Sequence, residues 1–158
     1  MLLCLWHGLK MDNNKFSQLA KFKGIENSNT NLGILYPILT ECRVFKSLLE
    51  LNLLRYVNEV SSTAHVEVTW STQFGMKEYQ FEIELLYYVY MFAHCRRFSY
   101  TFICAMGENS SILHYGHDGA PNDRTLKDGD LALLDMGAEY CFYGSDITCS
   151  FPVSKYFI

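Results

Sequence analysis

Cysteines at metal-binding or redox spacing are missing from this sequence. Cys4, Cys42, Cys95, Cys104, Cys141 and Cys149 are scattered, with no Cys-x-x-Cys pair and no His-x-x-x-His to complete a zinc site. That excludes a zinc finger and a dithiol redox motif. Cys104, Cys141 and Cys149 lie in apolar runs, where a free thiol behaves as a small hydrophobe, and unpaired thiols lead us to expect a reducing, cytoplasmic setting. Positive charge is also scarce. Thirteen Lys and Arg against 17 Asp and Glu give a net charge of -4, which leaves phosphates no counter-charge, so nucleic acid is not expected as a partner. Long hydrophobic runs are absent too: Leu85 to Ala93 is the longest, well short of the roughly 20 residues of a spanning helix. The stretch Met1 to His7 has no basic leader and no small-residue cleavage site, so neither a signal peptide nor a membrane segment is expected.

What is present suits one packed core. The chain has 158 residues, 49% hydrophobic and 15% aromatic, enough to bury a single domain. Residues 1–45 are punctuated by Asn13, Asn14, Gly24, Asn27, Asn29, Asn31, Gly33 and Pro37 and read as an irregular lead-in. From Ser47 the pattern changes. Ser47 and Glu50 have capping-box spacing, and Leu49, Leu53, Val57, Val60, Ala64 and Val68 recur every three or four residues, which predicts an amphipathic helix ending before Gly75. A second helix is predicted from Lys77 to about Ala93, charged in its first turns and apolar beyond. After Arg97 the period shortens: Ser99 to Met106, Ser111 to His114, Leu131 to Met136, Glu139 to Tyr143 and Asp146 to Phe151 read as strands. Helices followed by an antiparallel meander make the fold class α+β.

Chemistry concentrates in Leu133-Leu134-Asp135-Met136-Gly137 and Gly144-Ser145-Asp146-Ile147-Thr148. If residues 131–151 form one hairpin turning about Tyr140 and Cys141, Asp135 and Asp146 face each other directly on one side of the sheet. Two opposed carboxylates repel unless something positive lies between them. Two readings fit the pair. One is a dinuclear divalent-metal site, with oxygen donors favouring Mn²⁺, Mg²⁺ or Ca²⁺; the other is a solvated edge acid and a turn acid. His114 reads either as a substrate-facing imidazole or as a strand-end histidine bonded to backbone. Tyr100 and Glu108 read as a core aromatic and a turn acid.

Longer runs carry a resemblance. Residues 107–124 (GENSSILHYGHDGAPNDR) and 130–152 (DLALLDMGAEYCFYGSDITCSFP), with ECRVFK at 41–46, LLRY at 53–56 and GMKEY at 75–79, resemble the Xaa-Pro dipeptidases (prolidases) of the pita-bread metallopeptidase family. The resemblance implies a homodimeric, Mn²⁺-dependent hydrolase of dipeptides ending in proline or hydroxyproline. It implies two ions held by two Asp, one His and two Glu. By position Asp135 is a bidentate ligand of one ion, Asp146 bridges both, and His114 helps to hold the dipeptide. Residues 1–45 then match the end of the family's N-terminal domain and linker, and residues 46–158 the first part of its catalytic domain. The sequence also departs from the pattern. The family's ligand His and two Glu fall beyond Ile158, Ala105 and Met106 replace small residues, and residues 85–97 diverge where the family is more polar. The expectation is a catalytically incomplete fragment with weak or no Mn²⁺ binding and no catalytic residue of its own; the alternative is a non-catalytic pita-bread interaction module or a subunit partner.

Overall fold

The computed structural model describes residues 2–4, 22–27, 29–31, 34–116 and 121–154. It divides into two compact units, 1–48 and 49–158. In the first unit, β1 (Leu2–Cys4) pairs in parallel with β2 (Asn29–Asn31), and α1 spans Leu35–Val44. This helix corrects the expectation of an irregular lead-in at its C-terminal end. Pro37 stands in the first turn of α1, where the missing N–H would have no helical acceptor, so it does not break the helix. Residues 5–21, where that expectation mainly fell, lie outside the described residues, as do 117–120 of the turn predicted after Gly116.

The second unit is built on α2 (Leu48–Ser71) and α3 (Glu78–Phe92). Both helices form where the periodicity put them. Val57, Ala64 and Val68 of α2 and Phe81, Leu85 and Val89 of α3 are buried, four or so residues apart as a core-facing stripe requires. The first turn of the stripe fails, because Leu49 is 77% exposed. Gly75, with φ +88, makes the turn between the helices, and the Gln80 side chain accepts the Lys77 N–H at 2.7 Å to open α3.

Two small antiparallel sheets follow: β3 (Arg97–Phe98), β6 (Ala138–Tyr140) and β7 (Tyr143–Gly144) in one, β4 (Ile103–Met106), β5 (Leu131–Asp135) and β8 (Thr148–Pro152) in the other. The rear of the second sheet, formed by Cys104, Met106, Ala132 and Leu134, joins the helices in one core. The α+β class holds, and several strands are shorter than expected. Ser111–His114 is not a strand at all. Gly107–Ser111 is a 3₁₀ helix, and residues 113–116 form a turn. Its polar groups are satisfied locally, Ser111 Oγ donating to Glu108 O at 2.7 Å and Ile112 N to Asn109 O at 3.0 Å. Its apolar residues Ile112 and Leu113 face outward. Among the described residues no helix is long and apolar enough to cross a membrane.

Candidate metal site on the central hairpin

β5, β6, β7 and β8 make one long hairpin. Leu131 pairs with Pro152, Asp135 with Thr148, Glu139 with Gly144 and Tyr140 with Tyr143, a single register that runs through both sheets. It turns on Cys141 and Phe142, whose φ values are +49 and +69, the left-handed pair of a type I′ turn. The turn therefore lies one residue later than the sequence suggested, and the partner of Asp135 is Thr148, not Asp146. That shift corrects the direct opposition. Since Thr148 and Asp146 are two apart, both aspartates still leave the same face, as diagonal neighbours.

Between them the ladder is opened. Met136 N donates to Ile147 O at 3.1 Å and Ser145 N to Ala138 O at 2.9 Å. Ala138 N then turns to hydroxyls instead of completing its pair: Ser61 Oγ at 3.2 Å and Ser145 Oγ at 3.0 Å. The Ser145 carbonyl takes Ser99 Oγ at 2.6 Å. A β-carbon on Gly137 would lie 2.0 Å from that carbonyl, so only glycine permits the close approach opposite Asp146.

Tyr100 stands at the centre of the open face. Its hydroxyl donates to Asp135 Oδ1, and the Asp146 carboxylate lies near enough to act on it electrostatically. Burial above all, and then the two carboxylates, pushes its ionisation far above the ordinary phenol range, so it stays a donor. Expected only to be a core aromatic, Tyr100 instead bonds one of the two acids and feels the charge of the other. No other His, Cys, Asp or Glu joins them to make a group of three among the described residues.

The hairpin is fastened from behind by residues that the sequence reading missed. Ser61 and Ser145 hydroxyls are 2.7 Å apart and buried. His65 Nε2 contacts Met136 O at 2.9 Å, so Nε2 carries the proton, and Nδ1 faces Cys149 Sγ at 3.1 Å as the acceptor. Desolvation lowers the His65 pKa, keeping the ring neutral. Polar residues at 61 and 65, on the apolar stripe of α2 and four apart, were the signal available in the sequence.

His114 sits in the exposed turn with φ +55. Its neighbour Tyr115 is buried on Ile103, Ala105 and Leu133, the sheet face that also carries Asp135. The turn is held by Glu78, a fully buried carboxylate at the start of α3. Glu78 accepts Met106 N (2.9 Å), Asn109 Nδ2 (2.9 Å), the Tyr115 hydroxyl (2.7 Å) and Arg124 N (3.1 Å). Burial, and then this bond to Glu78, pushes the Tyr115 pKa up to about 12.

Two hard carboxylates on one face beside a phenol hydroxyl suit a divalent cation as part of an oxygen donor set. The comparisons with known proteins agree with that chemistry. The model of metallopeptidase family M24 matches residues 52–156. The chain is 50% identical to the Xaa-Pro dipeptidase of Mus musculus and 49% identical to that of Homo sapiens, in each case over 99% of this chain and 32% of the relative. Among solved structures it resembles aminopeptidase P from Escherichia coli with the inhibitor Pro-Leu. There the TM-score is 0.71 at 36% identity, over 84% of this chain and 30% of that one. Proline aminopeptidase P II from Yersinia pestis gives 0.72 at 30% identity, over 96% and 35%. The chain thus spans about a third of the length of the curated relatives it matches. It belongs to metallopeptidase family M24, which implies a divalent metal cofactor, and its fold is part of the pita-bread fold.

Proposed function

We propose that this chain carries one wall of an Xaa-Pro dipeptidase site, with Asp135 and Asp146 as ligands for Mn²⁺ and His114 as a contact for the dipeptide. The observation that carries the reading is the placement of both aspartates on one face of the hairpin beside Tyr100, whose hydroxyl bonds Asp135. Bound divalent ions supply Lewis-acid activation of water and of the scissile carbonyl. The chain's own residues orient the carboxylates: Tyr100 from the front, Ser61, Ser145 and His65 from behind. Dipeptides ending in proline or hydroxyproline are the substrates we assign, a homodimer the assembly and the cytoplasm the compartment. Residues 46–158 are the first part of the catalytic domain on this reading, and 1–45 the end of the preceding one.

Having only two acids in the described site favours a second reading for the isolated chain, that of a non-catalytic module or subunit partner. Both readings meet in one experiment. Isothermal titration of Mn²⁺ into the chain should give weak binding, since two carboxylates lack the partners that fix a tight site, and Asp135→Asn should abolish it. Gly-Pro hydrolysis should be undetectable for the chain alone. Two tight Mn²⁺ sites, or Mn²⁺-dependent proline release lost in Asp135→Asn, would refute the incomplete site. Weak binding unchanged by Asp135→Asn and Asp146→Asn would refute the ligand assignment.

A further inference from the structure

The groove between α2 and α3 lies apart from the two aspartates and has an unusual lining. It is an open groove of about 670 Å³, within the size range of small-molecule sites. Tyr87, Tyr88 and Phe92 form one wall; Phe92 meets Tyr87 at 6.0 Å and 90°, and Tyr88 at 5.4 Å and 51°, so the rings present faces in different directions. Glu67 and Glu84 line the same groove, and among the described residues no basic side chain does. The Ser71 hydroxyl donates to Glu84 and fixes its orientation.

Of these rings Tyr88 packs against the core, and the core does not need the other two. Phe81, Leu85 and Val89 already fill the buried side of α3, whereas Tyr87 is 59% and Phe92 62% exposed. A neutral apolar ligand would use the rings and gain nothing from the two acids; an anion would be repelled by them. An alkylammonium uses both, because aromatic faces and carboxylates attract the same charge. We infer that the α2–α3 groove is a binding site for an organic ammonium cation, held by the faces of Tyr87, Tyr88 and Phe92 and by the charges of Glu67 and Glu84. The inference is independent of the metal reading, and either can fail alone.

The test uses acetylcholine as a soluble alkylammonium probe, beside its uncharged carbon isostere 3,3-dimethylbutyl acetate, each titrated into the 158-residue chain by saturation-transfer NMR. The ammonium should saturate and the isostere should bind about tenfold more weakly, since only the charge differs. Glu84→Gln and Glu67→Gln should each weaken the ammonium several-fold and leave the isostere unchanged. Tyr87→Leu, which keeps an apolar body without a π face, should weaken it too. Equal binding of the two probes, absence of saturation, or carboxylate variants without effect would overturn the assignment. Sedimentation provides a further check: self-association abolished by Tyr87→Lys, with no ammonium binding, would give this face to a second copy of the chain and also overturn it.

Discussion

The two faces of the β4-β5-β8 sheet, made by alternate residues of the same strands, have opposite fates. Behind, Cys104, Met106, Ala132 and Leu134 are sealed against α2 and α3. In front, Thr148 is exposed and Asp135 half-buried beneath Tyr100, and among the described residues Tyr115 packs on Ile103, Ala105 and Leu133. The rear is a finished core that fixes geometry, and the front is a surface on which geometry is used. The polar residues that cross the rear decide where the acids in front stand.

Glu78 is the place to break that division most severely. Four donors converge on its buried carboxylate, two from side chains and two from backbone. Glu78→Ala leaves all four without their acceptor, and each buried donor left unpaired costs about 1–3 kcal/mol, so a loss of several kcal/mol is expected. Urea unfolding should show that loss, or a chain that no longer folds. Glu78→Gln, which keeps an acceptor oxygen, should retain more stability than the alanine variant. A loss below 1 kcal/mol for alanine would mean that the turn carrying Tyr115 and His114 is anchored by something else.

The serine crossing comes next. Ser145→Ala removes one hydroxyl from the shared hydrogen bonds at Ala138, and Ser61→Ala removes the other. Each should cost about 1–2 kcal/mol, the usual effect of leaving a buried donor short of a partner. The two should be coupled in a double-mutant cycle, because they serve the same backbone N–H. Additive losses would show that the hydroxyls act separately.

His65 sharpens the comparison through pH. Desolvation lowers its folded-state pKa below the ordinary 6.5, so the unfolded chain binds the proton more readily. Stability from this residue is then complete above about pH 6.5 and is lost as pH falls from there through the folded value. A plot of urea midpoint against pH should fall on the acid side, and His65→Gln should flatten that part of the slope. A midpoint rising as pH drops through 6 would contradict the neutral ring and its bond to Met136.

Much of this division could be read from the residues alone, and the failures have physical causes. The helices were legible because their stripes recur over many turns, and β5 because LALLD alternates against a buried face. Ile112 and Leu113 misled, since two apolar residues look like a strand while Glu78, distant in sequence, draws their neighbours into a turn. Polar residues on an apolar stripe, Ser61 and His65, carried the positioning information, and periodicity counts them as interruptions. The register was missed because its turn has none of the residues that announce one.

That turn gives the smallest effect and the sharpest test of register. Cys141 and Phe142 both hold positive φ, which for residues with a β-carbon costs about 1–2 kcal/mol each. Glycine removes the strain at Phe142, but gives back about 0.5–1 kcal/mol in backbone entropy. It also loses the ring that lies 5.9 Å beneath the Arg97 guanidinium, a contact worth about 0.5–1 kcal/mol at an exposed site. Phe142→Gly alone should therefore change stability by less than about 1 kcal/mol. Adding Cys141→Asn, the residue that type I′ turns favour at that position, should make the pair neutral to slightly stabilising. If the hairpin turned instead on Tyr140 and Cys141, residue 142 would sit in a strand. Glycine there would weaken the strand and relieve nothing, so a thermal midpoint clearly below that of the parent chain would restore the direct opposition of Asp135 and Asp146.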